Sequence, residues 1–154
     1  GHGMQINGRN FLIPLKTTIS TVADVENEAV NAGRVIRKME EAGTGLNIVV
    51  LDACRNNPFR SLFRSSLNGL ARMDVPVGTI IAYATSPGDV AADGLGRNGI
   101  YTKHLLESLS VPGLNVQEVF NQAGLGVMKE TDMKQVPWFN SSPMNPTYLA
   151  GEKK

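Results

Sequence analysis

The chain has one cysteine, Cys54, and two histidines, His2 and His104. A cysteine attacks as the thiolate, which is only a few per cent of an unperturbed thiol at neutral pH, so a catalytic cysteine needs a base nearby. His2 is flanked by glycines, which permit close backbone approach, whereas His104 falls in a helical pattern typical of a structural histidine. Cys54 and His2 are therefore the candidate nucleophile and base. The alternatives are a buried Cys54 that only fills space and a cloning remnant at the start of the chain.

Composition narrows the class of protein. A length of 154 residues predicts one domain with a sizeable core. The net charge of +1 gives no overall reason to expect nucleic acid or a membrane as partner. One cysteine excludes an internal disulfide framework and a zinc site built on several thiolates. We expect no signal peptide and no transmembrane segment, and a free cysteine slightly favours the cytoplasm.

Strand-like and helix-like segments alternate along the chain, which predicts an α/β fold. The segment Met4–Leu15 has the pattern of a hairpin with an Asn-Gly turn. A single apolar stripe from Val22 to Met39, capped at Thr21 and ended by Gly43, predicts one helix. The candidate histidine thus precedes a hairpin, and a helix connects that hairpin to the strand before the cysteine.

Two strand-like runs end in residues typical of a binding site. Leu46–Leu51 is almost wholly apolar, as expected of a strand buried on both faces of a parallel sheet, and Asp52 and Cys54 follow it. Thr79–Thr85 ends in a Ser-Pro-Gly-Asp loop. Because open α/β sheets bind ligands at the carboxyl ends of their strands, both ends are expected to face one crevice.

The remaining segments are predicted to be a connection, two helices and a tail. Residues 55–72 hold four arginines and no acidic residue, which indicates an exposed connection. Helices are predicted over roughly 98–109 and 115–132, the second opened by an Asn/Glu capping pair. The proline-rich tail predicts loop with a last edge strand at Thr147–Leu149.

These motifs together resemble a known family. His2 precedes Cys54 by 52 residues, close to the separation of about 50 residues between the caspase histidine and cysteine. In five segments the sequence resembles the bacterial caspase-like and metacaspase branch of the C14-type cysteine peptidases: Gly1–Gly3, Val49–Phe59, Pro76–Gly88, Asp93–Thr102 and Gln135–Trp138. The block Asp-Ala-Cys-Arg-Asn-Asn-Pro after an apolar strand is the most specific of these motifs.

The resemblance implies an α/β caspase-like fold, a mostly parallel sheet with helices on both faces. The strands that precede the histidine in the family are missing from this chain, so a separate chain that supplies them is one partner this resemblance allows. Residues 1–154 would then be a caspase-like domain fragment. Its parts would be a His/Cys-bearing large-subunit-like part at 1–59, a connecting loop at 60–75 and a small-subunit-like part at 76–154.

The resemblance also implies roles for individual residues. Cys54 would attack the scissile carbonyl and His2 would protonate the leaving amine. The backbone N–H groups of Gly3 and Cys54 would form the oxyanion hole. Asp52 matches the residue at the floor of the metacaspase S1 pocket, which favours Arg or Lys at P1. Three further residues would line the substrate cleft: Ser86, Asp89 and Asp93.

The family often carries a processing site in its connecting segment, which makes Arg60, Arg64 and Arg72 candidates for self-cleavage.

No organic cofactor and no metal is predicted, although calcium activates part of the metacaspase group and Asp89 and Asp93 are candidate cation ligands. The expected partner is a protein or peptide substrate, not nucleic acid or a membrane. Two other functions stay open: a catalytically inactive interaction or scaffold module, and a small α/β ligand-binding or hydrolase domain.

Overall fold

The computed structural model describes residues 2–53, 69–86, 89, 91, 98–142 and 144–152. The elements in chain order are β1 (His2–Ile6), β2 (Arg9–Ile13), α1 (Val22–Glu28), β3 (Val30–Asn31), α2 (Ala32–Glu41), β4 (Asn47–Leu51), β5 (Thr79–Tyr83), α3 (Ile100–Leu109), α4 (Val116–Glu130) and β6 (Trp138–Ser141). The strands of the described residues form two small sheets, ordered β1-β2-β3 and β4-β5-β6.

The predicted hairpin is confirmed. Its turn residues Asn7 and Gly8 have φ angles of 49° and 74°, the left-handed conformations that an Asn-Gly turn supplies. The antiparallel register pairs His2 with Ile13 at the open end. A small apolar core lies beneath the hairpin: Met4, Ile6, Phe11, Ile19 and Val25. The hairpin thus anchors the strand on which His2 lies.

The single helix predicted from Thr21 to Gly43 is wrong, because the chain forms two helices separated by a short strand. The predicted capping box at Thr21 is present, but Ala29 is extended, with φ −93° and ψ 152°. β3 then pairs with β2, and the Asn31 side chain accepts a hydrogen bond from the Arg34 N–H at 3.2 Å. The pairing of β3 with β2 and the N-cap at Asn31 therefore replace one helical turn. The apolar stripe predicted from Val22 to Met39 continues on both sides of this break.

The second sheet is built around β5. It lies parallel to β4 and antiparallel to β6, and all five of its residues are buried. The expectation that β4 is buried on both faces is not met, since Val50 is 39% exposed. Within the described segments β4 has a strand neighbour on one side only, which leaves its other edge open.

The carboxyl-terminal strand lies earlier than predicted. Trp138–Ser141 forms β6, where the proline-rich sequence indicated loop, and the prolines fall beside the strand instead of within it. The predicted strand at Thr147–Leu149 is wrong. Thr147 instead accepts one hydrogen bond through its carbonyl from the Val116 N–H at 2.8 Å, so this tail packs against the start of α4.

Helices α3 and α4 confirm the predicted pair and close the main core. α4 begins with the predicted capping box of Asn115 and Glu118. Apolar residues of both helices pack on β5, among them Tyr101, Leu105 and Phe120. The α/β class is confirmed, and the one parallel pair among the described strands is β4 with β5. In the described part of the chain no helix is long and apolar enough to cross a membrane.

Candidate active site

The start of β1 lies against the end of β4. The Gly3 N–H donates a hydrogen bond of 3.0 Å to the carbonyl of Ala53, the residue that precedes Cys54 in the chain. This bond joins the two sheets and brings the backbone beside His2 to the residue before the candidate nucleophile. Cys54 itself lies outside the described residues, so this contact is the nearest described link between the two candidates.

Gly3 is required for this close approach. A Cβ at that position would meet the Ala53 carbonyl oxygen at 3.0 Å and a Leu70 methyl at 3.1 Å. Since Gly3 donates its N–H to Ala53, a role for that N–H in an oxyanion hole requires this hydrogen bond to be replaced. The His2 side chain is exposed, and no described residue forms a hydrogen bond with its ring.

Asp52 directly follows β4 and is half-buried. Its Oδ2 accepts a hydrogen bond of 2.5 Å from the Thr102 Oγ1 in the first turn of α3. A hydrogen bond to a charged group contributes about 1.5–3 kcal/mol, enough to hold the carboxylate in one orientation. The candidate S1 residue is therefore positioned by a helix that follows it by 50 residues.

Tyr101 neighbours this pair and is 2% exposed. Burial, together with the negative charge of Asp52, raises the pKa of the Tyr101 hydroxyl well above its ordinary value. The phenol therefore remains neutral at any physiological pH. The neutral Tyr101 hydroxyl therefore places no second negative charge beside Asp52.

Ser86 and Asp89 lie in the turn that follows β5. The Ser86 hydroxyl donates to the Val136 carbonyl at 3.0 Å, and the Asp89 N–H donates to the Ser86 carbonyl at 3.0 Å. Because β4 and β5 are parallel, this turn and Asp52 lie at the same edge of the sheet, as the sequence predicted. Asp89 is exposed at that edge.

Arg72 is exposed, and its guanidinium stacks over the Trp138 ring at 4.8 Å from the centroid. The residues on each side of it are held: Ala71 by the Asn10 amide, and the Met73 N–H by the Tyr83 hydroxyl. Four of the predicted site residues lie outside the described residues: Cys54, Arg60, Arg64 and Asp93.

No group of three or more His, Cys, Asp or Glu side chains suited to a metal ion occurs among the described residues. We assign no step to calcium. His104 is structural, as its pattern indicated: its ring nitrogens contact Glu107 and Glu130 at 3.2 and 2.7 Å. Glu130 joins α4 to α3 through this ring.

Two residues of the site were not predicted from the sequence. Thr102 lay in a motif of the resemblance, but no periodicity connects it to Asp52, which the fold alone brings within hydrogen-bond distance. The Ala53 carbonyl was missed because a backbone acceptor has no sequence signature. Gly3 was the available signal, since a glycine beside a candidate catalytic residue indicates a close backbone approach.

Comparison with known proteins supports the caspase-like part of this resemblance. The family model "Caspase domain" (Peptidase_C14) matches residues 1–148. The chain is 27% identical over 113 residues to the human mucosa-associated lymphoid tissue lymphoma translocation protein 1, and equally to its homolog in Mus musculus. These matches cover 71% of this chain and 13% of each relative, so the chain spans a small part of their length. The chain belongs to the caspase domain family of cysteine peptidases.

Proposed function

We propose that this chain hydrolyses peptide bonds after Arg or Lys, with Cys54 as nucleophile and His2 as the proton-transfer group. The observation that carries the proposal is the hydrogen bond from the Gly3 N–H to the Ala53 carbonyl. It ties the backbone neighbour of His2 to the backbone neighbour of Cys54 in a chain of the caspase family. The assignment to the metacaspase branch and a bacterial source is part of this proposal.

The proposed reaction proceeds through a thioester. The Cys54 sulfur attacks the scissile carbonyl carbon while the thiol proton passes to His2. The C–N bond then breaks as His2 gives that proton to the leaving amine. Water next attacks the thioester carbonyl, the C–S bond breaks, and the peptide acid and the Cys54 thiol are released. The net reaction consumes one water and needs no organic cofactor.

Asp52 is the proposed determinant of P1 specificity. A carboxylate pairs with the guanidinium of Arg in a bidentate manner or with the ammonium of Lys, and it repels an acidic P1 side chain. The half-buried position of Asp52 and its bond to Thr102 support this role, because a partly desolvated and oriented carboxylate discriminates more strongly than an exposed one.

The test is turnover of fluorogenic tetrapeptides that differ only at P1, which is Arg, Lys or Asp. Each is assayed with the wild-type chain and with Cys54→Ala, with and without calcium. We expect turnover of the Arg and Lys peptides by the wild-type chain alone. Preferential turnover of the Asp peptide over the Arg and Lys peptides would contradict the role of Asp52. Turnover by Cys54→Ala equal to that of the wild-type chain would contradict the role of Cys54 as nucleophile.

Self-processing in the connecting segment is a second proposed activity of the same site. The candidate cleavage points are Arg60, Arg64 and Arg72. Cleavage after Arg72 is disfavoured, because a peptidase takes its substrate as an accessible extended strand and both neighbours of Arg72 are held. Intact mass of the wild-type chain against Cys54→Ala tests the proposal. Identical single masses would reject it.

An inactive interaction or scaffold module is the alternative function, and one observation favours it. The exposed His2 ring has no hydrogen-bond partner among the described residues. A catalytic group must be held within about 0.5 Å of its productive position. A separate chain that pairs with the open edge of β4 would supply that restraint in the proposed enzyme. Alkylation of Cys54 without turnover of any peptide would support the scaffold.

A further inference from the structure

A basic groove lies at the turn end of the hairpin, at the opposite end of β1 from His2. It has a volume of about 700 Å³ and is bounded by β2, the start of α2 and residues 72–76. Four arginines line it: Arg9, Arg34, Arg37 and Arg72. Among the described residues of the lining, Asp74 alone carries a carboxylate. The whole chain has a net charge of only +1, so the groove concentrates positive charge that composition does not reveal.

Most of this charge has no counter-ion among the described residues. Arg34 and Arg37 are one turn apart on α2, both are exposed, and neither forms an ion pair with any described residue. Arg72 faces a neutral ring, that of Trp138. Arg9 is the exception, since it donates to Glu26 at 2.5 Å. Neighbouring guanidinium groups repel one another, and an anion bound between them removes that repulsion.

The walls of the groove are fixed before any ligand binds. Asn10 is 1% exposed, and its side chain exchanges two hydrogen bonds with the backbone of Ala71, at 2.6 and 2.7 Å. This pair fastens the wall that carries Arg72 to β2. The opposite wall is the start of α2, whose first turn holds no acidic residue, so its N-terminal dipole adds to the positive field.

The lining favours a peptide over a nucleic acid. Between the arginines it presents apolar groups from the half-buried Met73 and Val75, and within the described lining no aromatic ring is available for base stacking. Aliphatic surface beside paired guanidinium groups suits a segment that combines carboxylates with apolar side chains. A polynucleotide would leave the aliphatic surface unused.

We propose that this groove binds an acidic segment of a partner protein, whose carboxylates pair with Arg34, Arg37 and Arg72. The turn and His2 are at opposite ends of β1, roughly 13 Å apart at about 3.3 Å per residue. The turn end of the groove is therefore separate from His2. In the proposed peptidase such a groove holds a substrate protein at a distance from its cleavage site.

The test is fluorescence anisotropy of a labelled octapeptide with four Glu residues, compared with the same peptide carrying four Gln. Neither peptide contains Arg or Lys, so neither is a substrate of the proposed peptidase, and a failed peptidase assay leaves this result unaffected. We expect the Glu peptide to bind at least about tenfold more tightly, as expected for the loss of one charge-assisted hydrogen bond. Its affinity should fall as salt is raised from about 50 to about 200 mM.

Matched variants assign the binding to the groove. Arg34→Gln/Arg37→Gln should weaken the Glu peptide about tenfold or more, whereas Lys129→Gln/Lys134→Gln, with the same charge change at exposed positions on and just after α4, should leave it unchanged. In a Cys54→Ala background, which cannot cleave after Lys, Arg34→Glu/Arg37→Glu should lose the Glu peptide and gain a Lys peptide, a gain that misfolding cannot produce. Equal binding of the Glu and Gln peptides, or equal loss in both Gln variants, would overturn the proposal. Binding of an oligonucleotide in place of the Glu peptide would overturn the assigned class of partner.

Discussion

At the scale of single residues, two contacts hold backbone and side chain at the end of β4. One is the hydrogen bond from the Gly3 N–H to Ala53, and the other is the hydrogen bond from Thr102 to Asp52. Each connects a proposed site residue to a distant part of the chain. Each can be disturbed by a single substitution at a residue other than His2 and Cys54.

Thr102→Val removes the hydroxyl that orients Asp52 and keeps the shape of the side chain. We expect kcat/KM for a peptide with Arg at P1 to fall roughly ten- to a hundredfold, the loss of about 1.5–3 kcal/mol for a hydrogen bond to a charged group. The loss should lie mainly in KM, since the proposed role of Asp52 is to bind the P1 side chain of the substrate. Thr102→Ser keeps the hydroxyl and should recover most of the activity. A Ser variant as poor as the Val variant would contradict this role.

Gly3→Ala places a methyl group 3.0 Å from the Ala53 carbonyl oxygen. Because backbone must move to accommodate it, we expect the free energy of unfolding to fall by about 1–3 kcal/mol and the peptidase activity to be lost. Gly45→Ala is the matched control, since a Cβ at Gly45 meets nothing within 4 Å. Urea unfolding of both variants checks the prediction. Equal stability of the two would mean that the contact between β1 and β4 is not tight.

At the scale of elements, the α3–α4 pair depends on one glycine that makes room for a ring. A Cβ at Gly126 would lie 2.5 Å from the His104 Nδ1, whereas a Cβ at Gly124 meets only Pro137 at 3.9 Å. Gly124→Ala should raise the free energy of unfolding by about 0.5–1 kcal/mol through helix propensity. Gly126→Ala should lower it by about 1–3 kcal/mol because the ring must leave its place. Urea unfolding measures both variants, and a change in the free energy of unfolding with the same sign in both would contradict this packing.

The charged cluster between α3 and α4 predicts a pH dependence. Hydrogen bonds from Lys103 and His104 lower the pKa of Glu130 below its ordinary value of 4.5, and the Glu130 carboxylate raises the pKa of Lys103 above 10.5. The stabilisation from Glu130 is therefore present above pH 4.5 and lost as the pH falls through its lowered pKa. The contribution of Lys103 is present below pH 10.5 and lost as the pH rises through its raised pKa.

Glu130→Gln should therefore flatten the dependence of Tm on pH at both ends. Thermal unfolding followed by circular dichroism from about pH 3 to about pH 11 measures it. Glu41→Gln serves as control, since Glu41 is exposed and forms no ion pair with any other described residue. A Glu130→Gln profile that parallels the wild-type profile below pH 4.5 would show that the cluster does not contribute.

The elements show which parts of this fold a sequence specifies locally. The Asn-Gly hairpin and the capping boxes at Thr21 and Asn115 were predictable because each depends on residues within a few positions. The break at Val30 was not, because it depends on pairing with β2, and β6 was obscured by flanking prolines. In the site, spacing and motif predicted His2 and Cys54 as the catalytic pair, and this stays a prediction. The role of the Thr102 hydroxyl and the basic groove could not be predicted, because each depends on residues that are distant in the sequence and adjacent only in the fold.

At the scale of the whole molecule, the two sheets have different roles. The hairpin sheet brings Gly3 to Ala53 at one end and forms the basic groove at the other, while the second sheet carries Asp52 and the turn at Ser86. The open edge of β4 and the exposed Val50 mark where a further strand would complete the second sheet. We expect activity to be higher in a longer protein or complex that covers this edge, because His2 would then be restrained.

The central claim is that Cys54 is a nucleophile whose pocket accepts a basic P1 side chain. Intact mass after incubation with a peptidyl chloromethyl ketone that carries Arg at P1 tests it most directly, because one covalent adduct reports both nucleophile and pocket. We predict a single adduct on the wild-type chain and none on Cys54→Ala. Labelling of Asp52→Asn by the Arg ketone should be markedly slower than labelling of the wild-type chain. Labelling of the wild-type chain by the matching ketone with Asp at P1 should also be markedly slower. An adduct that persists in Cys54→Ala, or equal labelling by the Arg and Asp ketones, would contradict the account.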